Sequence, residues 1–189
     1  RQDPSDSMEV IHRKGLRVGA YLHDATGIGK WEDKFQDVCT TLKIDPTSVS
    51  KSIPFDLTSK DYVYALEDIV LKSIEDDGMD FWWIDWQQGE TQGGTGQSGR
   101  ADVPMNPTIY TDKMRVTDSI RRCRAKNPSA SHADCASSQT KRGVTFARWG
   151  GMGNHRYQHG FSGDVAGLTW ENLAYQTYFS ATASNVGWG

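Results

Sequence analysis

The sequence predicts an α/β fold with a parallel sheet, and it favours an α/β barrel over a doubly wound sheet. Strand and helix patterns alternate along the 189 residues, as they do in βαβ units. Polar and acidic residues fall at the ends of the strands, where both folds bind their ligands. No GxGxxG opens a helix after the first strand and no GxxxxGK[ST] occurs, so a nucleotide site has little support.

The first half of the chain contains two strand patterns and two helix patterns. Thr58 and Asp61 form a candidate capping box for the second helix, and Gly78 is a candidate C-terminal stop. Helical spacing predicts one apolar face on the first helix, made by Trp31, Phe35, Val38 and Leu42. The predicted elements are a strand at 15–24, a helix at 31–43, a helix at 61–76 and a buried parallel strand at 79–85.

The second half continues the alternation but contains two glycine-rich loops. Pro107 stands at a favourable first-turn position for a helix. The predicted order is a long loop at 89–106, a helix at 107–126, a strand at 142–150, a loop at 150–164, a helix at 170–183 and a strand-like end at 184–189.

The composition excludes several classes of protein. At 37% hydrophobic and 24% charged residues, the chain has an ordinary globular composition. Its longest apolar run, FWWI, is far too short to span a bilayer. The net charge of −3 gives no general attraction to nucleic acid, and the basic run RRCRAK at 121–126 is explained by a solvated helix end. We therefore expect neither a membrane span nor a nucleic-acid partner.

The three cysteines leave one alternative open. Cys39, Cys123 and Cys135 form no CxxC, and no histidine lies at a zinc-site spacing from them, so no metal site is predicted. Cys123 and Cys135 flank the polar stretch KNPSASHAD and could form a bridge in an oxidising compartment. Three free thiols in a reducing compartment fit the sequence equally well.

The segment FWWIDWQQGE at 81–90 places a carboxylate directly after an apolar strand. Asp85 is there either a nucleophile or general base, or a cap for the following loop. Strand alternation puts Trp83 and Asp85 on one side and Trp82, Ile84 and Trp86 on the other. Sugar rings dock on flat aromatic faces while their hydroxyls seek carboxylates, so this side of the strand suits a carbohydrate.

A second carboxylate, Asp164, ends the segment HGFSGD, and Arg148 precedes it by sixteen residues at another strand end. Glycoside cleavage needs one ionised acid at the sugar carbon and one protonated acid at the leaving oxygen. An arginine can hold sugar hydroxyls and keep one carboxylate charged. The three side chains together favour a glycosidase.

From about Gly15 to the C-terminus, the chain resembles glycoside hydrolase family 31, the retaining α-glucosidase and α-xylosidase family. FWWIDWQQGE resembles the nucleophile segment of that family, and FARWGGMGNHRYQHGFSGD resembles its later segment with a sugar-binding arginine and a final Gly-Asp. The resemblance implies that Asp85 is the nucleophile, Asp164 the general acid/base and Arg148 a ligand of the sugar. It implies a carbohydrate substrate and no cofactor.

The segments also depart from the family pattern. Asp85-Trp86-Gln87-Gln88 stands where familiar members have Asp-Met-Asn-Glu, Phe161 stands where many have Trp, and Trp149 where Ser is common. These differences predict a divergent branch, and they leave the sugar open.

Further candidate site residues lie at or after the ends of predicted strands. His23, which precedes Asp24 at the end of the first strand, either lines the site or anchors its loop. In the second glycine-rich loop, His155 is the residue that we expect to approach the substrate, while Arg156 and His159 brace the loop. Trp83 completes the predicted substrate-binding set.

When the sequence is mapped on the family's barrel, it predicts a partial (β/α)8 TIM barrel that contains roughly strands 3 to 7 and their helices. Residues 1–189 are then part of one catalytic barrel that is incomplete at both ends, and the remainder of the parent polypeptide is its partner. An open barrel would expose apolar strand edges, which is an aggregation hazard, so we expect the chain to be an internal portion of a larger protein. We expect the chain alone to be inactive.

The predicted function is that of a retaining α-glycoside hydrolase acting on oligosaccharides or glycoconjugates by double displacement. A transglycosylase would differ from this hydrolase only in that a sugar, rather than water, accepts the glycosyl group. The alternative from another class is a non-catalytic carbohydrate-binding or structural protein on a glycosidase-derived scaffold. A phosphate-binding enzyme that uses the loop at 150–153 has little support, because no Lys-Ser/Thr follows it. Secretion or an endomembrane lumen is favoured by the resemblance and by the candidate bridge.

Overall fold

The computed structural model describes residues 4–85, 107–139, 143–147, 154–160 and 167–187. The chain forms two compact units, Arg1–Pro107 and Thr108–Gly189, and each is described by itself. Both units combine helices with strands that pair in parallel, so the predicted α/β class is confirmed. The described strands do not include a closed barrel, and the partial barrel of strands 3 to 7 stays a prediction.

The first unit has a parallel strand pair and a short antiparallel pair. β1 pairs with β4 in parallel, which confirms strands within the predicted ranges 15–24 and 79–85, and β2 pairs with β3 in antiparallel fashion. A 3-10 turn at Asp24–Thr26 follows β1. The elements are α1 Pro4–Arg13, β1 Gly19–Leu22, β2 Ile28–Gly29, α2 Phe35–Leu42, β3 Ser52–Ile53, α3 Lys60–Ala65, a π-helical turn Leu66–Leu71, α4 Lys72–Asp76 and β4 Phe81–Ile84.

The apolar face predicted for the first helix is only partly correct. Phe35 and Val38 are buried, at 2% and 0% exposure, whereas Trp31 is 73% exposed. The helix begins at Phe35 rather than at Trp31, because Gly29 and Glu32 form a turn. The Gly29 N–H donates to Glu32 Oε1 at 2.7 Å, and the Glu32 N–H donates to the Gly29 carbonyl oxygen at 3.1 Å. Trp31 therefore lies before the helix and outside the core.

The helix that begins at Lys60 has a different cap from the predicted one. Ser59 is the N-cap, and its hydroxyl oxygen accepts the Tyr62 N–H at 3.2 Å. The predicted Thr58–Asp61 box is wrong, because the Thr58 hydroxyl instead donates to Asp56 Oδ1 at 2.6 Å. The cap therefore lies one residue further along the chain.

Gly78 ends the helix as predicted. Its φ of +113° is a conformation that favours glycine. The Gly78 N–H donates to the Glu75 carbonyl at 3.0 Å, and the Met79 N–H donates to the Ile74 carbonyl at 3.3 Å, so the last turn is closed by backbone bonds. The chain then turns directly into β4.

The second unit confirms two predicted helices and one predicted strand. Its elements are α5 Pro107–Lys126, α6 His132–Ser137, β5 Thr145–Ala147, a 3-10 turn Asn154–Arg156, β6 Gln158–Gly160 and α7 Trp170–Asn185. β5 and β6 pair in parallel, so the prediction of a loop throughout 150–164 is wrong at 158–160. The prediction of a strand at 184–189 is wrong at Ser184 and Asn185, where α7 continues.

Cys123 and Cys135 form a disulfide with a Cα–Cα separation of 5.8 Å. The bridged alternative is therefore correct. The disulfide joins the end of α5 to α6, a helix of six residues. This helix begins with a capping box, in which the side chains of Ser131 and Asp134 each accept the backbone N–H of the other residue. Cys39 is free and buried, and burial raises the pKa of its thiol, so it is a poor thiolate source.

The basic run at 121–126 is exposed at Arg124 and Lys126, as the predicted solvated helix end requires, but Arg121 and Arg122 form ion pairs. Arg121 Nη2 lies 2.6 Å from Asp118 Oδ1, and Arg122 Nη1 lies 2.6 Å from Asp118 Oδ2. The Asp118 side chain is only 4% exposed. Two of the basic side chains thus neutralise a buried carboxylate within α5.

A buried polar pair joins α5 to β5 in the second unit. The Thr145 hydroxyl donates to Asp112 Oδ1 at 3.0 Å, and both residues are 0% exposed. The Thr145 N–H also donates to the Tyr157 carbonyl at 3.4 Å. Because buried polar groups are costly unless they are bonded, these contacts fix the start of β5.

We expect Gly27→Ala to lower the free energy of unfolding more than Gly15→Ala does. Both glycines have positive φ, +72° and +76°, so both alanines carry a backbone cost of roughly 1–2 kcal/mol. A Cβ on Gly27 would also overlap the Ile53 carbonyl oxygen, whereas a Cβ on Gly15 meets nothing within 4 Å. Urea unfolding of the two variants measures the difference. An equal loss in both would show that the contact between Gly27 and β3 is not tight.

Candidate active site

The site is built on the register of β1 against β4. Tyr21 lies opposite Trp83, and Leu22 opposite Ile84. The Asp85 N–H continues the ladder by donating to the Leu22 carbonyl at 2.9 Å. Asp85 is therefore held by the backbone at the carboxyl end of β4, which is the end where parallel α/β sheets bind ligands.

The two faces of β4 have different surroundings. Trp82 and Ile84 are buried at 4% and 0% exposure, and the Trp82 indole N–H donates to Glu75 Oε1 of α4 at 3.2 Å. Trp83 is half-buried, and its ring meets the ring of Tyr21. This agrees with the predicted alternation, in which Trp82 and Ile84 pack beneath the helices.

The Asp85 carboxylate is buried and hydrogen-bonded. It is 2% exposed, and the Tyr21 hydroxyl donates to its Oδ2 at 2.6 Å. A distance of this size is typical of an O–H donor on an ionised carboxylate. The bond shows that the carboxylate faces the Tyr21 side of the strand pair.

Two further aromatic rings contact Tyr21, the donor to this carboxylate. The Tyr21 ring meets Trp83 edge to face at a centroid distance of 4.7 Å, and it meets His23 in the same way at 4.6 Å. Tyr21 is 52% exposed, while Trp83 and His23 are half-buried. Flat apolar surface and a carboxylate therefore lie side by side, a combination that suits the C–H face and the hydroxyls of a sugar.

His23 begins the loop that follows β1. The His23 carbonyl accepts the Thr26 hydroxyl at 2.8 Å, and the next residue, Asp24, is 4% exposed. The loop anchoring that the sequence left open is thus supplied by the backbone of His23, while its imidazole contacts Tyr21. A substrate-lining role for that imidazole stays a prediction.

Among the remaining predicted site residues, the structure describes His155. Asp164, Arg148 and Trp86 lie outside the described residues. His155 lies on the 3-10 turn of the second unit, is exposed, and has its imidazole beside Gly187. Its approach to a substrate stays a prediction.

Tyr21 is the site residue that sequence reasoning missed. It lies in the predicted first strand, two positions before His23, and alternation puts both on one face. The pattern does not say which residue of β4 lies opposite, so the contact with Asp85 depends on the register.

Among the residues that the structure describes, no three His, Cys, Asp or Glu side chains come together as a metal site needs. None of the described helices has the length and apolar character that crossing a membrane requires.

A buried carboxylate at the carboxyl end of a parallel strand, beside aromatic rings, defines an α/β protein with a candidate site at its strand ends. The model of the glycosyl hydrolases family 31 TIM-barrel domain matches residues 3–188, and the chain belongs to this family. At family level it is therefore a glycosidase domain with a carbohydrate substrate. A search of curated proteins found no match.

Proposed function

We propose that the protein is a retaining α-glycoside hydrolase that cleaves O-glycosidic bonds of oligosaccharides or glycoconjugates by double displacement. The observation that carries the proposal is the Asp85 carboxylate, buried at the end of β4 and hydrogen-bonded by Tyr21. Membership of family 31 supports the reaction class. The sugar is left open, because the residues after Asp85 depart from the family pattern.

In the first step, Asp85 attacks the anomeric carbon. A bond forms between a carboxylate oxygen and that carbon while the glycosidic C–O bond breaks, and Asp164 gives its proton to the leaving oxygen. In the second step, Asp164 removes a proton from water as the water attacks the same carbon. The ester bond breaks and its electron pair returns to Asp85, so the configuration is retained.

Binding is assigned to groups that suit a sugar. Arg148 can donate paired hydrogen bonds to hydroxyls, and the ring of Trp83 offers an apolar face beside the acid. His23 and His155 complete the proposed set. In a retaining site in general, the two carboxyl groups lie about 5–5.5 Å apart.

The disulfide between Cys123 and Cys135 supports an oxidising location. We propose a location outside the cell or in the lumen of the endomembrane system. Detection of the bridge in protein isolated from its source, with thiols blocked at lysis, tests this assignment.

Covalent labelling tests the proposal. The full-length protein is incubated with 5-fluoro-glycosyl fluorides of glucose, xylose and galactose, and its peptides are mapped by mass spectrometry. We expect one sugar on the peptide that contains Asp85 and none in Asp85→Asn, whose amide can still accept from Tyr21. If no probe labels the folded protein, the non-catalytic carbohydrate-binding alternative replaces the hydrolase.

A further inference from the structure

The Tyr21 hydroxyl is placed to act on the chemistry of Asp85. Its oxygen lies 2.6 Å from Asp85 Oδ2, so it touches an atom that gains and loses charge in the proposed reaction. Neither the family match nor the sequence motifs assign a role to this residue.

The position of the hydroxyl is fixed by backbone and ring contacts. Tyr21 pairs in register with Trp83, and its ring lies against both Trp83 and His23, at 4.7 Å and 4.6 Å. A hydrogen-bond donor that is already oriented loses little entropy when charge appears in front of it. The contacts of Tyr21 thus orient its hydroxyl toward the carboxylate.

The exposure of the two residues differs sharply. Asp85 is 2% exposed, and Tyr21 is 52% exposed. A buried carboxylate depends on protein donors rather than on water for stabilisation of its charge. Tyr21 supplies such a donor from the open side of the strand pair.

We propose that Tyr21 is a catalytic residue that promotes release of the sugar, by donating its hydrogen bond to Asp85 as negative charge returns to that carboxylate. This inference rests on the proposed function. Tyr21 gives up no proton and no covalent bond changes at it.

The effect differs between the two chemical steps. When Asp85 attacks, its charge disappears, and a hydrogen bond that stabilises the free carboxylate makes it a weaker nucleophile. When water attacks the ester, the carboxylate departs, and the same bond makes it a better leaving group. Removing the hydroxyl should therefore slow release without slowing attack.

The experiment compares the full-length protein with its Tyr21→Phe variant. Phenylalanine keeps the ring that contacts Trp83 and His23 and removes only the hydroxyl. Intact-protein mass spectrometry follows the formation of the 5-fluoro-glycosyl ester and then, after excess probe is removed, its loss. We expect formation at least as fast as in the unsubstituted protein, and loss slower by about tenfold or more.

Tyr64→Phe is the matched control. Tyr64 lies on α3 with its ring near the Lys60 ammonium, a contact that phenylalanine keeps. We expect both rates to match the unsubstituted protein. Thermal unfolding of all three proteins shows whether either variant is misfolded.

The outcomes separate the two proposals. Selective slowing of release in Tyr21→Phe supports the role of the hydroxyl. If the unsubstituted protein labels on Asp85 and Tyr21→Phe releases the sugar at the same rate, or loses both rates by the same factor, the role is overturned and the hydrolase stands. If the unsubstituted protein never labels, both proposals fail.

Discussion

Asp85→Asn is expected to reduce kcat on the order of 10⁴-fold or more, because the amide cannot form the covalent ester through which both chemical steps pass. The variant should remain folded. Asparagine has nearly the shape of aspartate, and its carbonyl oxygen can accept from the Tyr21 hydroxyl that now bonds Asp85 Oδ2. Turnover of an aryl glycoside measures kcat, and urea unfolding measures stability.

Asp80→Asn is the matched control at the other end of the same strand. The Asp80 side chain is 3% exposed, bonds His12 Nε2 at 2.7 Å, and accepts the Val18 N–H at 2.9 Å. Its contacts tie β4 to α1 and to the start of β1, away from the proposed chemistry. We expect Asp80→Asn to lower the free energy of unfolding and to leave kcat of the folded protein close to its original value.

Asp85→Gly adds a second readout. Removing the side chain leaves space in which azide can reach the anomeric carbon. Azide should then restore turnover of a glycoside with a good leaving group and give a glycosyl azide of inverted configuration, which NMR identifies. A kcat of Asp85→Asn within tenfold of the original, without azide, would contradict the assignment of Asp85 as the nucleophile.

The placement of Asp85 could be predicted because it depends on local rules. A short apolar run at 79–85 has the length of a buried strand, and period-two alternation decides which side chains share a face. The structure confirms a strand at Phe81–Ile84 with Trp82 and Ile84 buried. The contact with Tyr21 could not be predicted, since it arises from the register of β1 against β4, a pairing 62 residues apart along the chain from Tyr21 to Trp83.

The wrong predictions for the start of α2 and for α6 have local physical causes. The periodicity of Trp31 with Phe35 and Val38 continues through a turn that Gly29 and Glu32 close, and periodicity alone does not mark where a helix begins. α6 was missed although its Ser131–Asp134 capping box is visible in the sequence. It has only six residues, and its Cys135 is linked to α5, so a disulfide supports what propensity alone does not.

β6 shows a further limit of sequence reasoning. Three residues, Gln158–Gly160, form a strand inside a segment whose glycines predict a loop. Its parallel partner is β5, thirteen residues earlier from Gln158 to Thr145. Such pairing depends on the partner strand and has no signature within three residues.

Asp164, the proposed second carboxylate, can be tested by a variant whose loss of activity depends on the substrate. We expect Asp164→Ala to lower kcat/KM for an oligosaccharide by roughly 10²–10⁴-fold, because its leaving oxygen needs a proton. For a dinitrophenyl glycoside, whose leaving group is stable as an anion, the loss should be small. Parallel kinetics on the two substrates measure the ratio.

The control for this variant is Asp134→Asn in the same unit. Asp134 is exposed and its carboxylate accepts the Ser131 N–H at 2.8 Å as part of the α6 cap. Losing that bond affects only the end of α6. We therefore expect any change of kcat/KM in Asp134→Asn to be the same for both substrates. An equal loss of kcat/KM on both substrates in Asp164→Ala would contradict an acid/base role, since a residue that only positions the sugar affects both substrates alike. Selective loss on the oligosaccharide, together with labelling at Asp85, would assign the nucleophile role and the acid/base role of double displacement to two different carboxylates.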